Sequence, residues 1–206
     1  MDIQKAREEI VAAAASCYRT GLVSAAGGNI SMRVGEQMLI TATNESFREL
    51  TTDGIVTVAM DGTLVHAVGD RKPSKEKNLH LEVYRRKPDM RCVIHVHPVY
   101  SIAYTVAAGQ RFPLPTVSAV AKLKEIGFVP VAGGGSSALV DGISAALEKG
   151  PDYMRVLLLE RHGIVVYEKD MKNCLDLTEL MEETAKINVL ISAVTHSTGI
   201  ADAVLP

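Results

Sequence analysis

Tryptophan is absent from this chain, and the other aromatics are few, six tyrosines and three phenylalanines in 206 residues. That scarcity argues against a platform for single-stranded nucleic acid, which needs aromatic rings under successive bases. Charge of one sign is also lacking: 22 Lys and Arg stand against 24 Asp and Glu, a formal net charge of −2. A duplex-binding module carries a basic excess, so nucleic acid is not an expected partner. No apolar run approaches the roughly 20 residues of a bilayer-spanning helix, so no membrane partner is expected either. Cysteine is limited to Cys17, Cys92 and Cys174, scattered with neither metal-site pairing nor a disulfide framework. Residues 1–5 have acidic residues close behind them and no cleavable apolar segment, and the chain reads as a soluble cytoplasmic protein.

What remains is ordinary globular composition, 47% apolar and 22% charged, at a length that one domain over residues 1–206 accommodates. Ile3, Ala6, Ile10, Ala13, Ala14 and Cys17 recur at helical spacing and predict a helix over about residues 2–20, stopped by Gly21. Residues 24–31 are small and glycine-rich and read as a loop. Strands are expected at residues 38–41 and 55–58, with Asp61-Gly62 as a hairpin-type turn. A helix over about 75–87 ends at Pro88, and a strand over 92–97 ends at Pro98. Residues 99–108 read as a helix, and 110–137 as a long irregular system holding one short strand near 128–131. A helix over 138–149, two buried strands at 156–159 and 164–167, and a long helix over about 171–195 complete the pattern. Interleaved helices and strands place the chain in the α/β or α+β class. Connections too short for a helical crossover require part of the sheet to be antiparallel.

The sharpest chemical feature is His95-Val96-His97 at a strand end. Side chains at i and i+2 share a face, so both imidazoles project together, as two ligands of one tetrahedral ion must. His162, between two apolar strands and beside Gly163, is the best candidate for a third ligand. The alternative is that these histidines are satisfied core or surface residues. In Lys72-Pro73-Ser74-Lys75-Glu76, Ser74 reads as an N-cap, and the helix start offers free amides to an anion. Glu76, one turn before His80, suits an acid/base role beside a metal or phosphate, or simple helix capping. Gly27-Gly28-Asn29-Ile30-Ser31 could let phosphate oxygens approach the backbone, or be only a turn; its glycine spacing is not that of a dinucleotide loop. Thr41-Ala42-Thr43-Asn44 is open to the same two readings. The triple glycine at 133–135 reads as a flexible loop.

Taken in order, Gly28-Asn29-Ile30-Ser31, Leu39-Ile40-Thr41-Ala42-Thr43-Asn44, Lys72-Pro73-Ser74-Lys75-Glu76 with His80, His95-Val96-His97 and Arg161-His162-Gly163 resemble the class II aldolase/adducin family. The likeness covers nearly the whole chain. It implies a three-layer α/β/α sandwich around a largely antiparallel central sheet, and a homotetramer with sites at subunit interfaces. It further implies that His95, His97 and His162 hold a divalent metal, usually zinc, with manganese as another candidate. Glu76 matches the family's acid/base, and Gly28, Asn29, Thr43, Asn44, Ser74 and Lys75 fall where the substrate phosphate is cradled. The implied reaction is cleavage of a small phosphorylated ketose through a metal-stabilised enediolate, giving dihydroxyacetone phosphate and an aldehyde.

Departures from the aldolase pattern open alternatives. Lys75 replaces a second serine and resembles the branch that decarboxylates 3-oxo-tetronate 4-phosphates. Ala42 and Asn44 stand where the strand-end turn usually has Pro and Gly. Neither residues 113–128 nor residues 201–205 contain the tyrosine that such aldolases often use. Glutamate rather than aspartate at position 76 disfavours a 4-epimerase. A non-catalytic, adducin-like scaffold is the alternative from another class.

Overall fold

The computed structural model describes residues 2–198. Its elements are α1 (Ile3–Arg19), β1 (Asn29–Val34), β2 (Gln37–Thr41), β3 (Ile55–Ala59), β4 (Leu64–His66), α2 (Lys77–Arg86), β5 (Cys92–Val96), α3 (Val99–Ala108), α4 (Val117–Lys122), β6 (Ile126–Val129), α5 (Ser137–Lys149), β7 (Val156–Leu159), β8 (Gly163–Glu168) and α6 (Met171–Thr198). The strands form one eight-stranded sheet in the order β4-β3-β2-β1-β5-β8-β7-β6. Among the described residues, only the β6–β7 pair is parallel. With helices on both faces, this is the expected α/β/α sandwich around a largely antiparallel sheet.

Period-two alternation along β5 assigns the layers. Cys92, Ile94 and Val96 pack in the core that α1 and α6 close with Ile10, Ala13, Cys17, Cys174 and Met181. Val93 packs in the opposite core, with Leu79, Val83 and Tyr84 of α2 and Leu139, Ile143 and Leu147 of α5. His95 has the parity of Val93, so its ring enters the α2/α5 side. Two charges, the buried Arg7 and the half-buried Glu182, lock helices onto this frame. The Arg7 guanidinium on α1 donates to the carbonyls of Thr52 and Ile55 and to Thr57 Oγ1 at the start of β3. The Glu182 carboxylate on α6 accepts from the N–H groups of Tyr100 and Ser101 at 2.8 and 2.9 Å. Those amides open α3, directly after His97, where the orphan N–H groups of a helix start need acceptors.

Several elements differ from the sequence-based expectation. Asn29–Val34 is a central strand rather than the end of a glycine-rich loop; its pairing with β5 and β2 comes from distant chain. β4 is a short, exposed edge strand beyond the Asp61-Gly62 turn. α4 lies inside the region read as irregular, capped by Thr116 Oγ1, which accepts from the Ala119 N–H. The short strand sits at 126–129, set by its parallel register with β7. α2 starts at Lys77, not at Lys75, because Ser74 and Glu76 form a separate turn.

Gly163 opens β8 where an added Cβ would fall against the Val96 carbonyl of β5. Both strands are central and hydrogen-bonded to each other, so neither backbone can retreat. Gly163→Ala is expected to destabilise the fold by about 1–3 kcal/mol, the usual scale for overpacking. The measurement is a lowered urea midpoint at unchanged slope; a wild-type midpoint would contradict the close approach.

Candidate functional site

Three turns bring the site together on the α2/α5 side of the sheet. His95 is the fourth residue of β5, and His97 follows two residues later on the same face. His162 stands in the tight β7–β8 turn, where Arg161 takes a left-handed backbone, φ +58°, and donates its N–H to Thr105 Oγ1 at 2.9 Å. Glu76 lies immediately before α2. Ring centroids are 4.8 Å apart for His95 and His97, 4.9 Å for His95 and His162, and 5.1 Å for His97 and His162. One ligand atom from each histidine and one from Glu76 all lie within 4.8 Å of one another.

The chemistry of these atoms fits a divalent cation. His95 Nδ1 is 2.9 Å from the Ile164 carbonyl and must donate to it, which leaves Nε2 as a bare lone pair. That nitrogen faces His97 Nε2 at 3.0 Å and Glu76 Oε2 at 3.2 Å. His162 Nε2 lies 3.3 Å from Glu76 Oε1, yet Oε1 is buried without a hydrogen-bond partner. Electron pairs thus converge with too few protons between them, the arrangement that a cation held by the three imidazoles beside the carboxylate satisfies. Burial, and then His95 and His162, push the His97 ring down to about 4, so it is a neutral potential ligand near pH 7. The Glu76 carboxyl is held below the ordinary carboxylate range; burial raises it, and the Asn29 hydrogen bond is among the contacts that lower it.

Behind Glu76 runs a buried polar chain. Asn29 Nδ2 donates to Glu76 Oε2 at 2.9 Å, and Asn29 Oδ1 is 2.5 Å from His80 Nε2. His80 Nδ1 is 2.7 Å from Ser31 Oγ, which is 2.8 Å from the Tyr84 hydroxyl. His80 therefore reaches Glu76 through Asn29 rather than directly. Tyr84 was not singled out from sequence, and Ser31 entered only as the last residue of the Gly27–Ser31 motif. The signal was the i, i+2 spacing of Asn29 and Ser31, informative only once residues 29–34 are known to be a strand.

The segments expected to cradle phosphate are neighbours. Thr41 is their knot: its Oγ1 accepts from the Ile30 N–H at 3.3 Å, and its carbonyl accepts from the Ser74 N–H at 3.2 Å. Thr43 donates its N–H to the Lys72 carbonyl at 2.9 Å, and Ser46 Oγ donates to the Ala25 carbonyl. Gly28 has φ +84°, and a Cβ there would sit 2.8 Å from the His95 carbonyl. Asn29 and Ser74 are buried, Gly28 and Thr43 half-buried, and Asn44 and Lys75 exposed. Ser74 does not cap α2 in the expected way; its Oγ accepts from the Glu76 N–H at 3.2 Å, which fixes the turn that presents the carboxylate.

The triple glycine is part of this site rather than a detached flexible loop. A Cβ on Gly134 would lie 3.1 Å from Glu76 Oε1, and one on Gly135 would lie 2.9 Å from the Lys75 carbonyl. A side chain at Gly134 would crowd the carboxylate, and Gly135 holds a left-handed backbone, φ +73°, beside it. The tyrosine-free stretch at 201–205 lies outside the described residues.

The family model of the class II aldolase and adducin N-terminal domain matches residues 8–189. The chain belongs to the class II aldolase/adducin family. Among relatives, it is 31% identical over 175 residues to an L-fuculose phosphate aldolase of Methanococcus maripaludis, covering 85% of this chain and 91% of that one. It is 33% identical over 187 residues to a 3-oxo-tetronate 4-phosphate decarboxylase of Cupriavidus necator, covering 89% and 83%. In structure it is similar to YgbL of Klebsiella pneumoniae, with TM-score 0.84, 26% identity and coverage of 93% and 91%. The fold is also that of an L-fuculose-1-phosphate aldolase from Thermus thermophilus, with TM-score 0.81, 24% identity and coverage of 97% and 100%. Family membership thus spans aldolases and decarboxylases at similar identity, and no helix among the described residues is long and apolar enough to cross a membrane.

His80 has a pH consequence for stability. Burial first, then the nearby His95, push its ring down to about 3, against the opposing pull of Glu76. The unfolded ring titrates near 6.5 (model compounds give roughly that value) and so binds the extra proton between the two values. Stability should therefore fall as pH drops from about 6.5 towards 3. The slope of urea midpoint against pH should flatten in His80→Gln; an unchanged slope would remove His80 as its source.

Proposed function

We propose that this protein is a divalent-metal-dependent carbon–carbon lyase acting on a small phosphorylated sugar or sugar acid. The observation that carries the reading is the convergence of four ligand atoms within 4.8 Å, with a buried carboxylate oxygen left unpartnered among them. His95, His97 and His162 would hold the ion, zinc or a similar metal such as manganese. When bound, the ion supplies Lewis-acid stabilisation of negative charge developing on the substrate.

The chain's own residues do the rest. Gly28, Asn29, Thr43, Asn44, Ser74 and Lys75 bind the phosphate end through backbone amides, hydroxyls and the Lys75 ammonium, which positions the carbon skeleton over the histidines. Glu76 carries a proton to and from the carbon on which bond cleavage leaves an electron pair. Its Oε1, without a hydrogen-bond partner, is the oxygen available for that transfer. Cleavage of a ketose 1-phosphate gives dihydroxyacetone phosphate and an aldehyde.

A second reading, decarboxylation of a 3-oxo-tetronate 4-phosphate, passes through the same kind of enediolate. It is favoured by Lys75, an exposed cation one residue from Glu76, its backbone against Gly135. A lysine there can hold a second anionic group more firmly than a serine hydroxyl. By kinship, the same proposal includes one domain over residues 1–206, a homotetramer and a cytoplasmic location.

Metal-loaded protein incubated with ketose 1-phosphates and with 3-oxo-tetronate 4-phosphates separates the readings by product, dihydroxyacetone phosphate against carbon dioxide. Neither product from any substrate tested would overturn the lyase assignment. His95→Ala is expected to abolish tight ion binding and activity while leaving the circular dichroism spectrum unchanged, and retained metal would remove His95 as a ligand. Glu76→Gln should keep the ion and lower kcat by about 10²–10⁴, the usual acid/base contribution. A normal rate in that variant would exclude Glu76 from proton transfer.

A further inference from the structure

In the polar chain behind Glu76, His80, Ser31 and Tyr84 have no part in binding the ion or the phosphate, yet every orientation in the chain is determined. His80 and Ser31 have no exposed surface, and Asn29 is 4% exposed, so water cannot repair a mismatch. An ionised Glu76 can only accept, so Asn29 turns its amide N–H towards Oε2 and its Oδ1 towards His80. His80 must then carry its proton on Nε2, leaving Nδ1 as an acceptor. The Ser31 hydroxyl donates to that Nδ1, and the Tyr84 hydroxyl donates to Ser31 Oγ, with the Arg91 carbonyl at 3.3 Å as its longer second acceptor. Reversing any one of these groups sets two acceptors or two donors face to face in a buried site.

We propose that His80 is a positioning residue that acts through Asn29 to make the two oxygens of Glu76 inequivalent. Oε2 is tethered by Asn29, whereas Oε1 remains without a hydrogen bond beside His162 and Gly134. The tether holds the carboxylate in one rotamer, with Oε2 between Asn29 and His95 and Oε1 beside His162. The inference rests on the reading of Glu76 as the proton carrier, and it adds residues of α2 and β1 to the catalytic arrangement.

The test pairs His80→Gln with His80→Asn. A glutamine amide nitrogen is as many bonds from Cβ as Nε2 of histidine, so it can still donate to Asn29; an asparagine amide reaches only as far as Nδ1. His80→Asn is expected to lower kcat by about 10–100-fold, the usual scale for a residue supporting a metal-site group, with KM and ion content unchanged. His80→Gln is expected to recover most of that loss. A wild-type kcat in His80→Asn, or a His80→Gln as slow as His80→Asn, would overturn the proposal. Should His80→Asn fail to fold, Ser31→Ala keeps the ring and removes the donor to Nδ1. It is then expected to lower kcat at unchanged KM, and an unaltered kcat would count against the tether.

A second readout needs no substrate. Two-bond nitrogen–proton correlation spectra of the wild-type protein are expected to show His80 protonated on Nε2, and Ser31→Ala to give a mixture of tautomers. An Nδ1-protonated His80 would break the chain at Asn29 and overturn the inference. Inactivity of the wild-type protein on all substrates would strike the lyase reading alone, leaving the tautomer to decide the tether.

Discussion

Four electron-pair donors held close together without enough protons to share are the constraint around which this protein is arranged. His95 Nε2, His97 Nε2, a nitrogen of His162 and a carboxylate oxygen of Glu76 crowd one point. In a folded chain such crowding is unfavourable by itself, since each lone pair has been taken from water and faces another. It persists because each group is fixed by something stronger. His95 sits in the middle of a sheet and is anchored by the Ile164 carbonyl. His97 is followed directly by a helix whose first amides are held by Glu182. His162 is placed by a strained turn, and Glu76 by Ser74 and Asn29. The unfavourable electrostatics and the rigid frame together describe a site preorganised for positive charge.

The surroundings of the carboxylate show how the same frame distinguishes two oxygens that are chemically identical in solution. One is engaged by an amide whose orientation is dictated by a buried histidine; the other faces His162 and Gly134 without a hydrogen bond. A group meant to move a proton needs one stable anchor and one free lone pair, and burial lowers the freedom to exchange those roles. The phosphate-type segments are tied to the same knot at Thr41, which contacts both Ile30 and Ser74. Binding at one end of a substrate and proton transfer at the other would thus share a backbone hydrogen-bond frame, so that positioning energy is not lost to a flexible joint.

Much of this was legible from residue order. The alternation of Cys92, Ile94 and Val96 against Val93, His95 and His97 places both imidazoles on one face, whatever the remainder of the chain does. The helical stripe of α1, the stops at Gly21, Pro88 and Pro98, and the antiparallel requirement from short connections are local signals that the fold obeys. Besides the short edge strand β4, two elements were missed because their signals are not local. β1 reads as loop from its glycines and small residues and is a strand only because β2 and β5 pair with it. α4 is a single capped turn and a half within proline-rich chain, too short for periodicity to register. The triple glycine read as flexible because composition reports the freedom of a glycine but not what lies above it.

What the amino-acid order determined by itself was the set of candidate ligands and acid, the layer each apolar residue faces, and the family. Those follow from strand parity, helical period and short motifs, all of which depend on neighbours within a few residues. Tertiary structure alone decided that Glu76 and His162 arrive beside the histidine pair, that Asn29 links Glu76 to His80, and that Gly134 lies against the carboxylate. Each of these joins chain segments tens of residues apart, and no local rule of backbone geometry specifies which distant surfaces meet when the sheet and helices pack.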